Sequence, residues 1–80
     1  MYWTYILYSQ ILNKYYVGST SDLKQRLSDH NTGRSHYTAR GKPWELVYST
    51  EITTNTEALQ LENRIKRKGA GRYLKDNGIT

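Results

Sequence analysis

Hydrophobic and polar positions fall into short blocks along the chain, and the period of each block predicts an element. Residues 2–8, Tyr-Trp-Thr-Tyr-Ile-Leu-Tyr, are aromatic and β-branched enough to predict a strand. Residues 15–19, Tyr-Tyr-Val-Gly-Ser, predict a second. Gln10 to Lys14 between them has the length of a hairpin loop, so the two strands are expected to be antiparallel neighbours. The period then changes. Asp22 is an N-cap residue and Gln25, three residues on, completes a capping-box spacing. This predicts a helix from Leu23 to His30, stopping near Asn31 and Gly33. A polar, basic stretch from Asn31 to Lys42 follows, and Pro43 opens a third strand from Trp44 to Tyr48, extending to Ile52. Thr53-Thr-Asn-Thr is a turn and cap signal, after which a second helix runs from beyond Thr56 to Lys68. Gly69 and Gly71 interrupt it, and a short last helix covers Arg72 to Asn77. The order β-β-α-β-α-α predicts one α+β domain over residues 1–80, a small three-stranded antiparallel sheet flanked by helices.

Some polar residues sit where the helical period calls for apolar ones. In the first helix Leu23, Arg26, Leu27 and His30 share one face. In the second, Ala58, Leu61 and Ile65 form the apolar stripe, and Glu62 lies on or beside it. Singly, each has a plain structural account. An arginine stem can lie along apolar surface with its head in water. A glutamate at the edge of a stripe is usually solvated, and a histidine at a helix end partners the dipole. In combination they can converge with the strand tyrosines at the helix–sheet boundary. A carboxylate can hold a divalent cation and an arginine can clamp a phosphate with its planar fork. That combination makes a phosphodiester site plausible.

Composition narrows the partner. The 80 residues hold no cysteine, which excludes disulfides and thiolate metal sites and fits a reducing, cytoplasmic setting. Eight tyrosines and two tryptophans stand against no phenylalanine, supplying rigid groups with polar tips. Twelve Lys and Arg against seven Asp and Glu give a net charge of +5, so an anionic partner is expected, nucleic acid or an anionic membrane surface. No apolar run approaches the roughly 18 residues of a membrane span, and of the two, nucleic acid is the expected partner, with no membrane association. Arg34, Tyr37, Arg40 and Lys42 in the polar stretch are candidate nucleic-acid contacts, with Tyr37 able to stack on a base. So are Lys66, Arg67 and Lys68, although basic residues there also suit a solvated helix face. No Ser-His-Asp motif or P-loop is present, and two histidines without cysteine make no zinc site.

Several of these residues carry a family resemblance. Trp3-Thr4-Tyr5 and Tyr16-Val17-Gly18 resemble the paired GIY and YIG elements of the GIY-YIG nuclease superfamily, at matching spacing. The stretch from Ser19 to Gly33 resembles the part that carries the family's arginine. Gly41 to Tyr48 resembles its third strand, and Thr56 to Lys66 its metal-glutamate helix. The resemblance is collinear over nearly the whole chain and is strongest to the small stand-alone bacterial members. Three positions depart from the pattern, in two places. Trp3 and Thr4 replace Gly and Ile, and Ser19 stands where the DNA-repair members place a lysine.

The resemblance implies a divalent-metal-dependent endonuclease that hydrolyses phosphodiester bonds in DNA, more than RNA, in repair or recombination. Glu62 would hold Mg²⁺ or Mn²⁺ and Arg26 the scissile phosphate. Tyr16 would orient or deprotonate the attacking water, with Tyr5 beside it. His30 would accept a proton or hold the phosphate. Gly18 would let the backbone pass close to the phosphate or to the helix start. So short a chain leaves little surface for a long recognition site, which favours selection of structure over sequence in a monomer or weak dimer. The alternative is a nucleic-acid-binding module on the same fold without catalysis. A third reading, a protein-interaction module, would use exposed aromatics.

Overall fold

The structure, a computed structural model, describes residues 1–34 and 36–79, apart from the side chains of residues 36 and 37. Strands β1 (Tyr2–Ser9) and β2 (Lys14–Thr20) are followed by helix α1 (Leu23–Thr32) and a 3-10 stretch (His36–Gly41). Strand β3 (Trp44–Ile52) and helices α2 (Asn55–Lys68) and α3 (Ala70–Asp76) complete the chain. The sheet is antiparallel in the order β2-β1-β3, so β1 is central and β2 is an edge. The α+β order expected from the sequence is the one observed, and the 3-10 stretch falls in the segment read as a polar loop.

The caps explain the helix starts. The Asp22 side chain accepts from the Gln25 amide at 3.1 Å. Only this half of the expected capping box forms, because the Asp22 amide donates to the Thr20 hydroxyl at 3.1 Å instead, and the Gln25 side chain donates to Asp29 at 2.9 Å. Thr54 caps α2 in the same way, through the Glu57 amide, so α2 begins one residue earlier than Thr56. Gly69 at φ 97° separates α2 from α3, and α3 starts at Ala70 with Gly71 inside it.

Strand alternation divides the core into two layers. On one face Tyr5, Leu7 and Trp44 are buried under Leu23 and Leu27 of α1, with Tyr16 and Leu46 beside them. On the other, Ile6 and Val17 pack on Ile65 of α2 and Leu74 of α3. The switch along β3 comes from a bulge. Ile6 pairs with Tyr48 and Leu7 with Leu46, leaving Val47 as the extra residue. Trp44 and Leu46 therefore face α1, while Tyr48 crosses to the other side and meets Tyr73 at 3.1 Å between hydroxyls.

Candidate active site

The α1 face carries a buried polar chain. The Tyr5 hydroxyl lies 3.0 Å from His30 Nε2, and His30 Nδ1 lies 2.6 Å from the Thr38 hydroxyl. Tyr5 is 1% exposed and His30 is fully buried. Trp44 closes the chain from beneath by donating its indole N–H to the Thr38 carbonyl at 2.7 Å. Helix α1 ends at Thr32 with Gly33 as its cap, within the expected stop, and His30 in its last turn is buried.

Arg26, one turn earlier on α1, lies beside the Tyr5 hydroxyl, and each shifts the other's titration. A guanidinium can only donate, so toward Arg26 the phenol oxygen is the acceptor. Burial pushes the Tyr5 phenol up to about 12, although the Arg26 hydrogen bond pulls the other way. Burial, and then the Arg26 charge, lowers the His30 imidazole below its usual value. Both shifts keep the pair uncharged, with Arg26 as the cation.

Gly18 is the cross-strand partner of Tyr5. A Cβ there would sit 2.6 Å from the Tyr5 hydroxyl and 3.2 Å from the Tyr16 ring. The neighbour that requires a bare backbone is therefore the Tyr5 phenol, where the sequence suggested a phosphate or the helix start. Tyr16, two residues before Gly18 on the same face, is half-buried, with its ring 4.9 Å from that of His30.

Glu62 belongs to the opposite layer, on α2. Ala58, Glu62 and Lys66 follow at four-residue steps and form one stripe of the helix. The Ala58 carbonyl accepts from the Thr4 hydroxyl at 2.8 Å and from the Ser19 hydroxyl at 3.1 Å. That carbonyl is the helical acceptor for the amide of residue 62, so the two hydroxyls fix the turn that carries Glu62. Thr4 and Ser19 are the two departures from the family pattern that now have a visible task. Glu62 is close enough for its charge to add to the upward shift of Tyr5. Its side chain is 15% exposed and accepts from Lys66 Nζ at 2.7 Å.

Beside β2 lies a groove of about 890 Å³ lined by Lys14, Tyr15, Tyr16, Arg40, Trp44 and Lys66. It joins two expected nucleic-acid contacts, Arg40 and Lys66, to one the sequence reading missed, Lys14. The others are elsewhere engaged or outside it. Arg34, 74% exposed, pairs loosely with Asp29 at 3.8 Å. Lys68 pairs with Asp76 at 2.6 Å, tying α2 to α3. Lys42 and Arg67 are exposed, and the Tyr37 side chain lies outside the described residues.

Residues 1–73 match the family model described as the GIY-YIG catalytic domain. The chain belongs to the GIY-YIG family. It is 40% identical over 68 residues to a UPF0213 protein of Bacillus pumilus, covering 80% of this chain and 69% of that one. It is 38% identical over 55 residues to a UPF0213 protein of Streptococcus pneumoniae, covering 68% of this chain and 56% of that one. The chain therefore spans little more than half the length of the second relative. The solution structure of a UPF0213 protein from Bacillus halodurans has the same fold, with a TM-score of 0.59 and 24% identity over 100% of this chain and 86% of that one.

The GIY-YIG family is generally one of endonucleases acting on nucleic acids with divalent metals, and this chain's acids can be tested against that demand. Among the described residues no cluster of three or more His, Cys, Asp or Glu could hold a metal ion. A partly open single carboxylate suits Mg²⁺, which keeps several waters and takes phosphate oxygens to complete its octahedron. Glu62 fits. No helix among the described residues is long and apolar enough to cross a membrane.

Proposed function

We propose that this chain is a divalent-metal-dependent endonuclease that cuts phosphodiester bonds in DNA by structure more than by sequence. The observation that carries the reading is Arg26, held by a buried phenol–imidazole chain, with the Glu62 carboxylate near enough for Tyr5 to feel its charge. A fixed guanidinium near an oxygen ligand for a cation is what a phosphodiester needs as charge develops on it.

Glu62 would hold Mg²⁺ or Mn²⁺, which supplies polarisation of the phosphate and stabilisation of the leaving oxygen. Arg26 grips the scissile phosphate with the N–H groups not committed to Tyr5. Tyr16 orients the attacking water with its hydroxyl. Tyr5 and His30, too buried to meet a phosphate, act as positioning residues for Arg26. A phenol at about 12 is ionised in only about one molecule in 10⁵ at pH 7, so Tyr5 stays a neutral hydrogen-bonding group. Arg40, Lys14 and Lys66 draw the backbone into the groove, and Tyr15 offers a stacking face.

The test is cleavage of labelled single-stranded, duplex and branched DNA and one RNA, with Mg²⁺, Mn²⁺ or EDTA, alongside Glu62→Ala and Arg26→Ala. Metal-dependent cutting that both substitutions abolish supports the reading. The engagement of Glu62 by Lys66 favours a second reading, a binding module without catalysis. Salt-dependent binding with no cutting under any metal, unchanged by either substitution, would establish that one.

A further inference from the structure

Lys66 has a neighbour that its place on a basic helix face does not explain. Of the three cations lining the groove, Lys14, Arg40 and Lys66, it is Lys66 whose ammonium sits 2.7 Å from Glu62 Oε2. The pair joins a carboxylate 15% exposed to a lysine side chain 52% exposed. The helical turn that carries the carboxylate is anchored, because Thr4 and Ser19 hold it to the sheet. The lysine is mobile, a point charge on a four-carbon stem with water on one side. A Glu-to-Lys pair one turn apart on a half-open helix face is also weak, so parting it costs little.

We propose that Lys66 is a displaceable counter-ion of Glu62, holding the carboxylate in readiness and moving to the substrate backbone when Glu62 takes up a divalent cation. This rests on Glu62 being the metal ligand. An ammonium and a divalent cation on the two oxygens of one carboxylate repel each other, so arrival of the divalent cation favours release of the ammonium. When the ammonium leaves, the groove it already lines is the nearest place for it, and a phosphate is the nearest anion once DNA is bound. Loading of the carboxylate and gripping of the backbone are thereby coupled through one side chain. Lys66 thus acts first as a positioning residue and then as a contact.

The coupling is tested by titrating the protein with Mn²⁺ alone and following the signal of the free ion by electron paramagnetic resonance, then measuring kcat and KM with DNA. Lys66→Met removes the competitor and keeps a good helix former, so Mn²⁺ affinity should rise about two- to fivefold while KM for DNA increases. Lys66→Arg keeps the charge and should bind Mn²⁺ as the wild type does. Unchanged or weaker Mn²⁺ binding by Lys66→Met, or no detectable binding by either protein, overturns the proposal. Tighter Mn²⁺ binding with an unchanged KM overturns the transfer to the backbone. Glu62→Gln separates the two levels. If it binds Mn²⁺ as the wild type does, Glu62 is not the ligand and both readings fail. If it loses the ion while Lys66→Met gains nothing, only the role of Lys66 fails.

Discussion

The hydroxyl of Tyr5 and Nε2 of His30 lie 3.0 Å apart across the interface between the central strand and the first helix, closed to solvent. Arg26 lies beside the same hydroxyl, so guanidinium, phenol, imidazole and the Thr38 hydroxyl form one continuous polar chain. The arrangement holds Arg26 without itself carrying charge, and this has consequences for pH, for catalysis and for stability.

Stability should depend on pH through His30. Its folded value lies below the unfolded one of about 6.5, so the unfolded chain binds the extra proton. The contribution is complete above the unfolded value and is lost as pH falls toward the folded one. Thermal unfolding midpoints should drop between pH 6.5 and pH 5, and His30→Gln should flatten that slope. An equally steep drop in His30→Gln would place the titrating group elsewhere.

Arg26→Lys keeps the positive charge but loses the fork that reaches Tyr5 and a phosphate together. Cleavage should fall about 10²- to 10³-fold, with kcat carrying the loss and the unfolding midpoint close to wild type. Full activity in this variant would remove Arg26 from the reaction.

Gly18→Ala places a methyl group against the Tyr5 phenol, 2.6 Å from its oxygen. The clash should cost about 1–3 kcal/mol and loosen the hold on Arg26. Urea unfolding gives the first quantity. A Gly18→Ala, Tyr5→Phe double variant, which removes the crowded hydroxyl, should recover part of the stability. No recovery would mean that the clash lies with Tyr16.

Thr4→Val and Ser19→Ala each remove one of the two hydroxyls that reach the Ala58 carbonyl. Each should cost about 1 kcal/mol. Because they share an acceptor, the double variant should depart from the sum, which a double-mutant cycle in urea will measure. Strict additivity would show that the carbonyl is not a shared anchor.

Glu62→Ala should abolish metal-dependent cutting without unfolding the domain, since its carboxylate is partly open and its ion pair with Lys66 is a weak surface one. Circular dichroism melts beside the cleavage assay will check both halves. Collapse of the fold would make Glu62 a structural residue.

The sequence by itself determined the elements and their order. Strand composition, the Asp22 cap, the Thr53–Thr56 turn and the glycines after Lys68 are local signals, and local signals survive without a structure. It also placed Leu23, Arg26, Leu27 and His30 on one helical face, because a period of 3.6 needs no tertiary partner to be read. What only the tertiary structure decided was which groups meet. The bulge at Val47 turns Tyr48 to the other layer, and no alternation pattern announces it. His30 is buried, and Thr38 becomes its partner from within a stretch read as a loop. Thr4 and Ser19, departures from the family pattern, find their shared carbonyl on α2, a helix far from both in sequence. Glu62 approaches Tyr5 from the opposite layer of the sheet. Contacts between residues far apart in sequence depend on register and packing, and those are fixed only when the layers close on one another.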